Sequence, residues 1–409
     1  MKIDKRNLGH WLLLLAFMAQ GVLGLLGRLA FRSRGGRRPD GIVVVLYGHK
    51  LNGNLLAIHR YVVANPQLCI RATFLTMDRG YARELAGQGV DVCEADGPGC
   101  ARLLARADAL ISDHGLHSLQ PFVGCFRRLG LRFFDVWHGI PFKGFDGQDF
   151  RVQHGYDEVW VASERCRRLY VERFGFPPGR VKVTGYARTD RLLRPEAEAG
   201  ALRAALGLPG EGRLILFAPT WAQDASGRSL YPFGLDEQTF LRALTEVAGR
   251  HGATVLLRSH LNSGDVGRDG GLPAGVRALP STRYPDTESI LLVSDVLICD
   301  WSSIAFDYLL LDRPTLFLDV PPPFRKGFSL GPEYRFGEVG GDMDALLRSL
   351  EVCLGAPDRY WQTHRSRHAD VMERVYGDVL DGRASERCVG RLVGCVTGEG
   401  TPPAPVQGG

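Results

Sequence analysis

Four short segments of this chain end an apolar run in groups able to act on a phosphate. The first is Trp137-His138-Gly139-Ile140-Pro141-Phe142-Lys143, where a strand-like run delivers a histidine into a Gly/Pro turn, with a lysine following. An imidazole there could accept the proton of an attacking hydroxyl near neutral pH while Lys143 balances phosphate charge; it could also simply tie down the turn. The second, Phe217-Ala218-Pro219-Thr220-Trp221, stops in the hydroxyl of Thr220, a phosphate donor or a helix cap. In the third, Leu256-Leu257-Arg258-Ser259-His260, Arg258 and His260 alternate with smaller neighbours and can project from one face, as an anion site requires or as a surface pair would. The fourth runs from Asp295 to Asp307: a buried strand ends at Asp300, and Ser302-Ser303 stand where the next helix would begin. Free N–H groups at a helix start attract anions, although one serine suffices as an ordinary cap.

These segments supply bases, hydroxyls and cations without the clustered carboxylates that hold Mg²⁺. P-loop, GxGxxG and HExxH patterns are absent. The inventory fits transfer chemistry on a phosphorylated donor better than metal hydrolysis, and no cofactor or metal is expected. His114 and His117 have the spacing of half a metal site with no third ligand nearby in sequence. Their stretch and the loop Gly48–Asn54 both follow strands, so both could touch an acceptor. The nine cysteines are scattered singly with no CxxC, which favours a reducing compartment over a disulfide framework.

The elements that must carry these groups alternate between strand and helix. Strands are expected at Ile42–Tyr47, Ile70–Thr76, Ala109–Ser112, Phe133–Trp137, Glu158–Ala162 and Val181–Thr184, with helices between them. A second series reads Leu214–Ala218, Thr254–Arg258, Val296–Cys299 and Thr315–Leu318. That alternation predicts a chain of two α/β domains, 39–190, doubly wound, and 191–376, followed by a helix at 377–396 and a polar tail at 397–409. Two such domains would leave a cleft between them for a ligand.

Charge locates a further device. Residues 1–38 carry eight basic side chains against Asp4, a net +7 within an overall +5, so the remaining 371 residues are slightly acidic and no nucleic-acid partner is expected. Within that segment Trp11–Gly27 is an apolar run broken only by Gln20. No small-residue cleavage site follows it, so it reads as a membrane-associating helix, in-plane or spanning once, held at an anionic inner leaflet. The alternative is a helix buried in the first domain.

The order and spacing of WHGIPFK (137–143), VTGYARTD (183–190), FAPTW (217–221), LLRSH (256–260), SDVLICDWSSIAFDYLLLDRP (294–314) and YGDVLDGRASER (376–387) resemble the CDP-glycerol glycerophosphotransferase family, which includes teichoic acid primases and polymerases. The resemblance implies a GT-B architecture and transfer of glycerol phosphate, or a related alditol phosphate, from a CDP-alditol to a hydroxyl of a lipid-linked polyol-phosphate or glycan acceptor at the cytoplasmic membrane face. It implies catalytic roles for His138, as general base, and His260. Thr220, Arg258, Asp300, Ser302 and Ser303 would bind the donor phosphates, and Lys143, Arg188 and Asp190 would line the acceptor side. The chain departs from the family's WHGTP at Ile140, from GYPR at Ala187, from ITDYSS at Cys299 and Trp301, and from RPHP at Ser259 and Leu261. Those departures keep open a GT-B sugar transferase using a nucleotide-sugar, and a non-catalytic nucleotide- or polymer-binding protein.

Overall fold

The computed structural model describes residues 6–33, 41–194, 199–220, 231–258 and 271–398. The chain divides into two compact units: residues 1–138, 146–190 and 379–409 form the first, and 139–145 with 191–378 the second. Each is built on one parallel sheet.

The first sheet holds β1 (Ile42–Tyr47), β2 (Ile70–Thr76), β3 (Val92–Glu94), β4 (Ala109–Ser112), β5 (Arg132–Asp135), β6 (Glu158–Val161) and β7 (Val181–Val183), in the order β3-β2-β1-β4-β5-β6-β7. The order reverses between β1 and β4, where open α/β sheets bind ligands beyond the strands' carboxyl ends. Register makes that edge level: Tyr47 pairs with Ser112, and Ser112 with Asp135. The residues after these three strands therefore emerge side by side. The strands are apolar on both faces because helices cover both. On one face α2 (Gly53–Ala64) and α3 (Arg79–Gly87) pack Leu55, Ile58 and Leu85 against Val44, Leu46 and Phe74. On the other, α4 (Pro98–Arg106) and α5 (Val123–Arg128) pack Leu104 and Phe126 against Val45, Leu110 and Phe133. The sequence reading passed over β3, α4 and α5; a three-residue edge strand and helices this short carry too little pattern to register.

The helix α1 (Leu8–Ser33) belongs to this unit by one face only. Phe17 is fully buried, and Gly24 allows close approach to α4, since a Cβ there would lie 2.9 Å from Leu104 Cβ. Arg28 is buried too: Nε donates to Leu129 O at 2.7 Å and Nη1 to Ala107 O at 2.5 Å. The guanidinium thus closes the carboxyl ends of α4 and α5, where a cation is favoured. The opposite face leaves Leu8, Trp11, Leu12, Leu15, Leu26 and Leu29 exposed. One side of this helix is therefore domain core, and the other is exposed apolar surface.

After α6 (Glu164–Glu172), the short α7 (Thr189–Leu192) and α8 (Ala199–Ala205) lead into the second sheet. It comprises β8 (Leu214–Ala218), β9 (Thr254–Leu257), β10 (Val276–Ala278), β11 (Val296–Cys299), β12 (Thr315–Leu318) and β13 (Glu338–Gly340), ordered β10-β9-β8-β11-β12-β13. Its reversal falls between β8 and β11, with Cys299 opposite Ala218. Helices α9 (Glu237–Arg250), α10 (Thr287–Val293), α11 (Ile304–Leu309), α12 (Met343–Gly355) and α13 (Pro357–Tyr376) cover it, with Phe240, Leu244, Leu346 and Leu350 meeting Phe217, Val255 and Ile298. The last helix, α14 (Ala384–Thr397), returns to the first unit and seats Cys388, Val389 and Leu392 in the core beneath α2.

Replacing Arg28 by Met leaves carbonyls of Ala107 and Leu129 without their donor. The first unit should lose about 1–3 kcal/mol, read as a lower urea midpoint; an unchanged midpoint would show that the docking of α1 does not depend on this guanidinium.

Candidate active site

The level edge of the first sheet gathers four histidines. His49 follows β1, His114 and His117 follow β4, and His138 follows β5. The His114 ring stacks on His138 with centroids 4.5 Å apart and planes 7° from parallel, and His49 lies 4.4 Å from His114. Sequence spacing had paired only His114 with His117; the topology adds the other two. Among the described residues no group of three or more His, Cys, Asp or Glu side chains is arranged to hold a metal ion.

His138 is fixed by its neighbours. Its Nδ1 lies 3.2 Å from the carbonyl oxygen of Asp113, which can only accept, so Nδ1 carries the proton. Nε2 makes no hydrogen bond among the described residues and presents a lone pair. Trp137, just before it, has φ 29°, a left-handed conformation that a bulky side chain adopts only when held. It is held from both sides: Trp137 N donates to Asp135 Oδ2 at 3.1 Å, and Trp137 O accepts from Asn54 Nδ2 at 2.8 Å. Asn54 Nδ2 also donates to Val136 O at 2.8 Å, and Arg188 Nη1 donates to His138 O at 2.7 Å. Asn54 and Arg188 are themselves buried and joined, Arg188 N donating to Asn54 Oδ1 at 3.2 Å. Arg188 thus serves the site as a positioning residue. In sequence Asn54 figured only as the end of a loop that could touch an acceptor, and its hold on the residues before His138 is not visible there.

Electrostatics set the protonation states. Desolvation, reinforced by the charge of His114, holds His138 down to about 3 although the ring keeps an exposed edge. Burial also brings His49 to about 3 and His117 to about 4. His114 goes the other way: burial opposes its charge, but the Asp113 carboxylate, 2.7 Å from its Nδ1, overcomes this and raises it. The buried Asp135 is pushed up to about 8 by desolvation, so at neutral pH it is mainly the protonated acid. Gly48 accommodates the cluster, since a Cβ there would lie 2.5 Å from Asp113 Oδ1.

Three expectations are revised. Asp190 does not line an acceptor surface; its carboxylate accepts from Ala384 N and Ser385 N, both at 2.8 Å, and ties α14 to the unit. Lys143 groups with the second unit rather than the first: it forms an antiparallel bridge with Phe328, and Gly144 N donates to Gly327 O at 2.7 Å. Arg258 is not a free anion donor. It is buried, with Nη1 donating to Leu279 O at 3.1 Å and Tyr284 O at 2.5 Å and Nη2 to Thr287 Oγ1 at 2.9 Å. Burial lowers it to about 10, leaving it a cation that orders the start of α10.

The second unit brings the remaining described candidates together where β8 and β11 end. Asp300 is buried, and its Oδ1 accepts from Thr220 N at 2.7 Å and from Thr220 Oγ1. It therefore positions Thr220, and being an acceptor it cannot donate to a phosphate. Ser302 Oγ accepts weakly from Ile304 N at 3.5 Å, while Ser303, at the N-cap of α11, makes no side-chain capping bond. Both hydroxyls are partly exposed and keep their protons for a ligand. Helix α11 has only 6 residues, so its dipole adds little to these hydroxyls. Arg335, which no motif flagged, stacks on Trp301 with its guanidinium carbon 4.4 Å from the ring centre and is ion-paired with Asp319 at 3.2 Å. His260 lies outside the described residues.

Acid should weaken the fold through these groups. His49, His117, His138 and the buried His368, also lowered to about 3, stay neutral when folded but take up protons when unfolded below about 6.5, and they outnumber Asp135 and His114, whose raised values oppose them. The unfolded chain thus binds more protons between pH 6.5 and 4.5, and stability must fall as pH falls through that window. Urea midpoints across this range should decline steadily; a flat profile would contradict neutral histidines.

Comparison with known proteins places this geometry. The model of the CDP-Glycerol:Poly(glycerophosphate) glycerophosphotransferase family matches residues 31–394. The teichoic acid poly(ribitol-phosphate) polymerase of Bacillus spizizenii is 27% identical over 281 residues, covering 66% of this chain and 42% of that protein. The teichoic acid poly(glycerol phosphate) polymerase of Bacillus subtilis is 28% identical over 211 residues, covering 45% of this chain and 27% of that protein. The chain spans about half or less of the length of most curated relatives it matches. The solved structure of the wall teichoic acid polymerase TagF shares the fold, with a TM-score of 0.70 at 19% identity over 93% of this chain and 94% of that one. With a family model spanning nearly all of both units, the chain belongs to the CDP-glycerol glycerophosphotransferase family.

Proposed function

We propose that the protein transfers an alditol phosphate, glycerol phosphate or its ribitol counterpart, from a CDP-alditol to a hydroxyl of a membrane-linked acceptor in the synthesis of a teichoic-acid-like polymer. The acceptor oxygen forms a new bond to the phosphorus bearing the alditol, the phosphorus–oxygen bond to CMP breaks, and the hydroxyl proton passes to Nε2 of His138. Ser302 and Ser303 in the second unit donate to the pyrophosphate, and Arg335 offsets the charge growing on departing CMP. Its relatives' names support both alditols: polymerases of ribitol phosphate and of glycerol phosphate match this chain at comparable identity. A variant of the TagF polymerase has been solved after soaking with CDPG.

The observation that carries this reading is the fixed tautomer of His138. A base must be unprotonated at the atom facing its substrate, and the Asp113 carbonyl leaves Nε2 as that atom. A ring kept neutral well below pH 7 is a weak base in water, but it is never lost to protonation under working conditions. The transition state then depends on alignment and charge neutralisation as much as on proton affinity.

We further propose that α1 lies in the plane of the inner leaflet. Crossing the bilayer would pull Phe17 and Arg28 out of the core, whereas in-plane binding leaves that packing intact and immerses the exposed stripe. The basic residues flanking the helix in sequence suit anionic headgroups.

Two outcomes follow. His138→Ala should lower CMP release from CDP-glycerol by about 10²–10⁴-fold, about 3–5 kcal/mol in the barrier, with nucleotide binding retained in calorimetry; near wild-type turnover removes His138 as base. Serines at Leu12, Leu15 and Leu26 should cut co-sedimentation with phosphatidylglycerol vesicles at least about tenfold, and unchanged sedimentation refutes the in-plane anchor.

A further inference from the structure

The histidine cluster contains more than the proposed base, and what surrounds His138 is not packing alone. Both connections of the ring lead to a single residue. His138 Nδ1 donates to the backbone carbonyl of Asp113, and the side chain of Asp113 accepts from His114 Nδ1 at 2.7 Å. His114 then lies flat on His138, centroids 4.5 Å apart with 7° between planes. Two stacked imidazoles at that distance cannot both be charged without strong repulsion. Only one of them has a carboxylate partner, so the pair's proton belongs on His114.

We infer that Asp113 and His114 are positioning residues for His138: the Asp113 carbonyl fixes its tautomer, and the ion-paired His114 imidazolium stacked on its face keeps Nε2 free to accept a proton. This rests on reading His138 as the base. The other groups facing the pair are consistent with one charge residing there. His49 and His117 stand beside His114 and are held neutral by burial, Asp135 beneath is mainly the uncharged acid, and Arg188 adds a second cation on the His138 side. His117 is further occupied by the Tyr47 hydroxyl, 2.6 Å from its Nδ1. When His138 accepts the acceptor's proton, the two rings become a pair of stacked cations, so the arrangement also favours release of that proton from the exposed Nε2 to solvent water, which resets the base.

The test uses full-length protein and reads His138 by the NMR titration of its ring Cε1–H resonance, with the kcat/KM profile for CMP release from CDP-glycerol beside it. His114→Gln removes the charge and keeps a polar side chain of similar reach; His114→Phe keeps the stack without the charge and serves if the first variant folds poorly. In either, the His138 titration should move up toward 6.5 by at least about one pH unit, and the acid limb of kcat/KM should move with it. Any loss of rate should be smallest at pH 8, where His138 is neutral in any case, and should grow as pH falls. A His138 titration that does not move, or a rate loss equal at every pH, overturns the inference and leaves His114 as packing. Failure of the base assignment is separate: there His138→Ala stays active, whatever the titration in the His114 variants shows.

Discussion

The site depends on one backbone residue held where it would not settle by itself. Trp137 is strained, its N–H is held by Asp135 and its C=O by Asn54, and His138 follows with its own carbonyl fixed by Arg188. A strain of about 1–3 kcal/mol persists only if several neighbours over-determine it. Here those neighbours come from α2, from the end of β5 and from the segment after β7, so the sheet as a whole sets where the imidazole points. Swinging the ring to another tautomer or rotamer would break its bond to the Asp113 carbonyl and its stack on His114. A base that is pre-aimed needs no reorganisation when the hydroxyl arrives, which is where catalysis by positioning gains its advantage.

The same architectural solution appears in both units with different chemistry. Each parallel sheet reverses order once, and the chain leaves the two central strands there on adjacent paths. In the first unit those paths carry imidazoles and a carboxylate, suited to proton traffic. In the second they carry the joined Thr220 and Asp300 and two serines, whose hydroxyl protons suit an anion. That joining explains why Asp300 is harmless beside a phosphate: its charge is turned to the backbone and hydroxyl of Thr220.

Much of this was legible in sequence, for identifiable reasons. Buried parallel strands are continuous apolar runs, so Ile42–Tyr47, Ile70–Thr76, Leu214–Ala218 and Thr315–Leu318 are recognisable to the residue. His138 stood out because a histidine ending such a run is unusual. What sequence could not give is who meets whom. Asp113, His114 and His138 are joined by strand register, and nothing in their spacing announces it. Arg258 misled for the converse reason: an arginine at a strand end looks like an anion donor until Leu279, Tyr284 and Thr287 are seen taking its protons. In α1 the apolar run was plain, yet which side faces the core became visible only with Arg28 and Gly24 in place.

The central claim is that the protein holds one imidazole neutral, with its outward nitrogen bare, at neutral pH. ¹⁵N chemical shifts of the His138 ring in selectively labelled full-length protein at pH 7 report this directly. A protonated Nδ1 with an unprotonated Nε2 is the result required by the Asp113 carbonyl. An imidazolium, or a ring with its proton on Nε2, would contradict it.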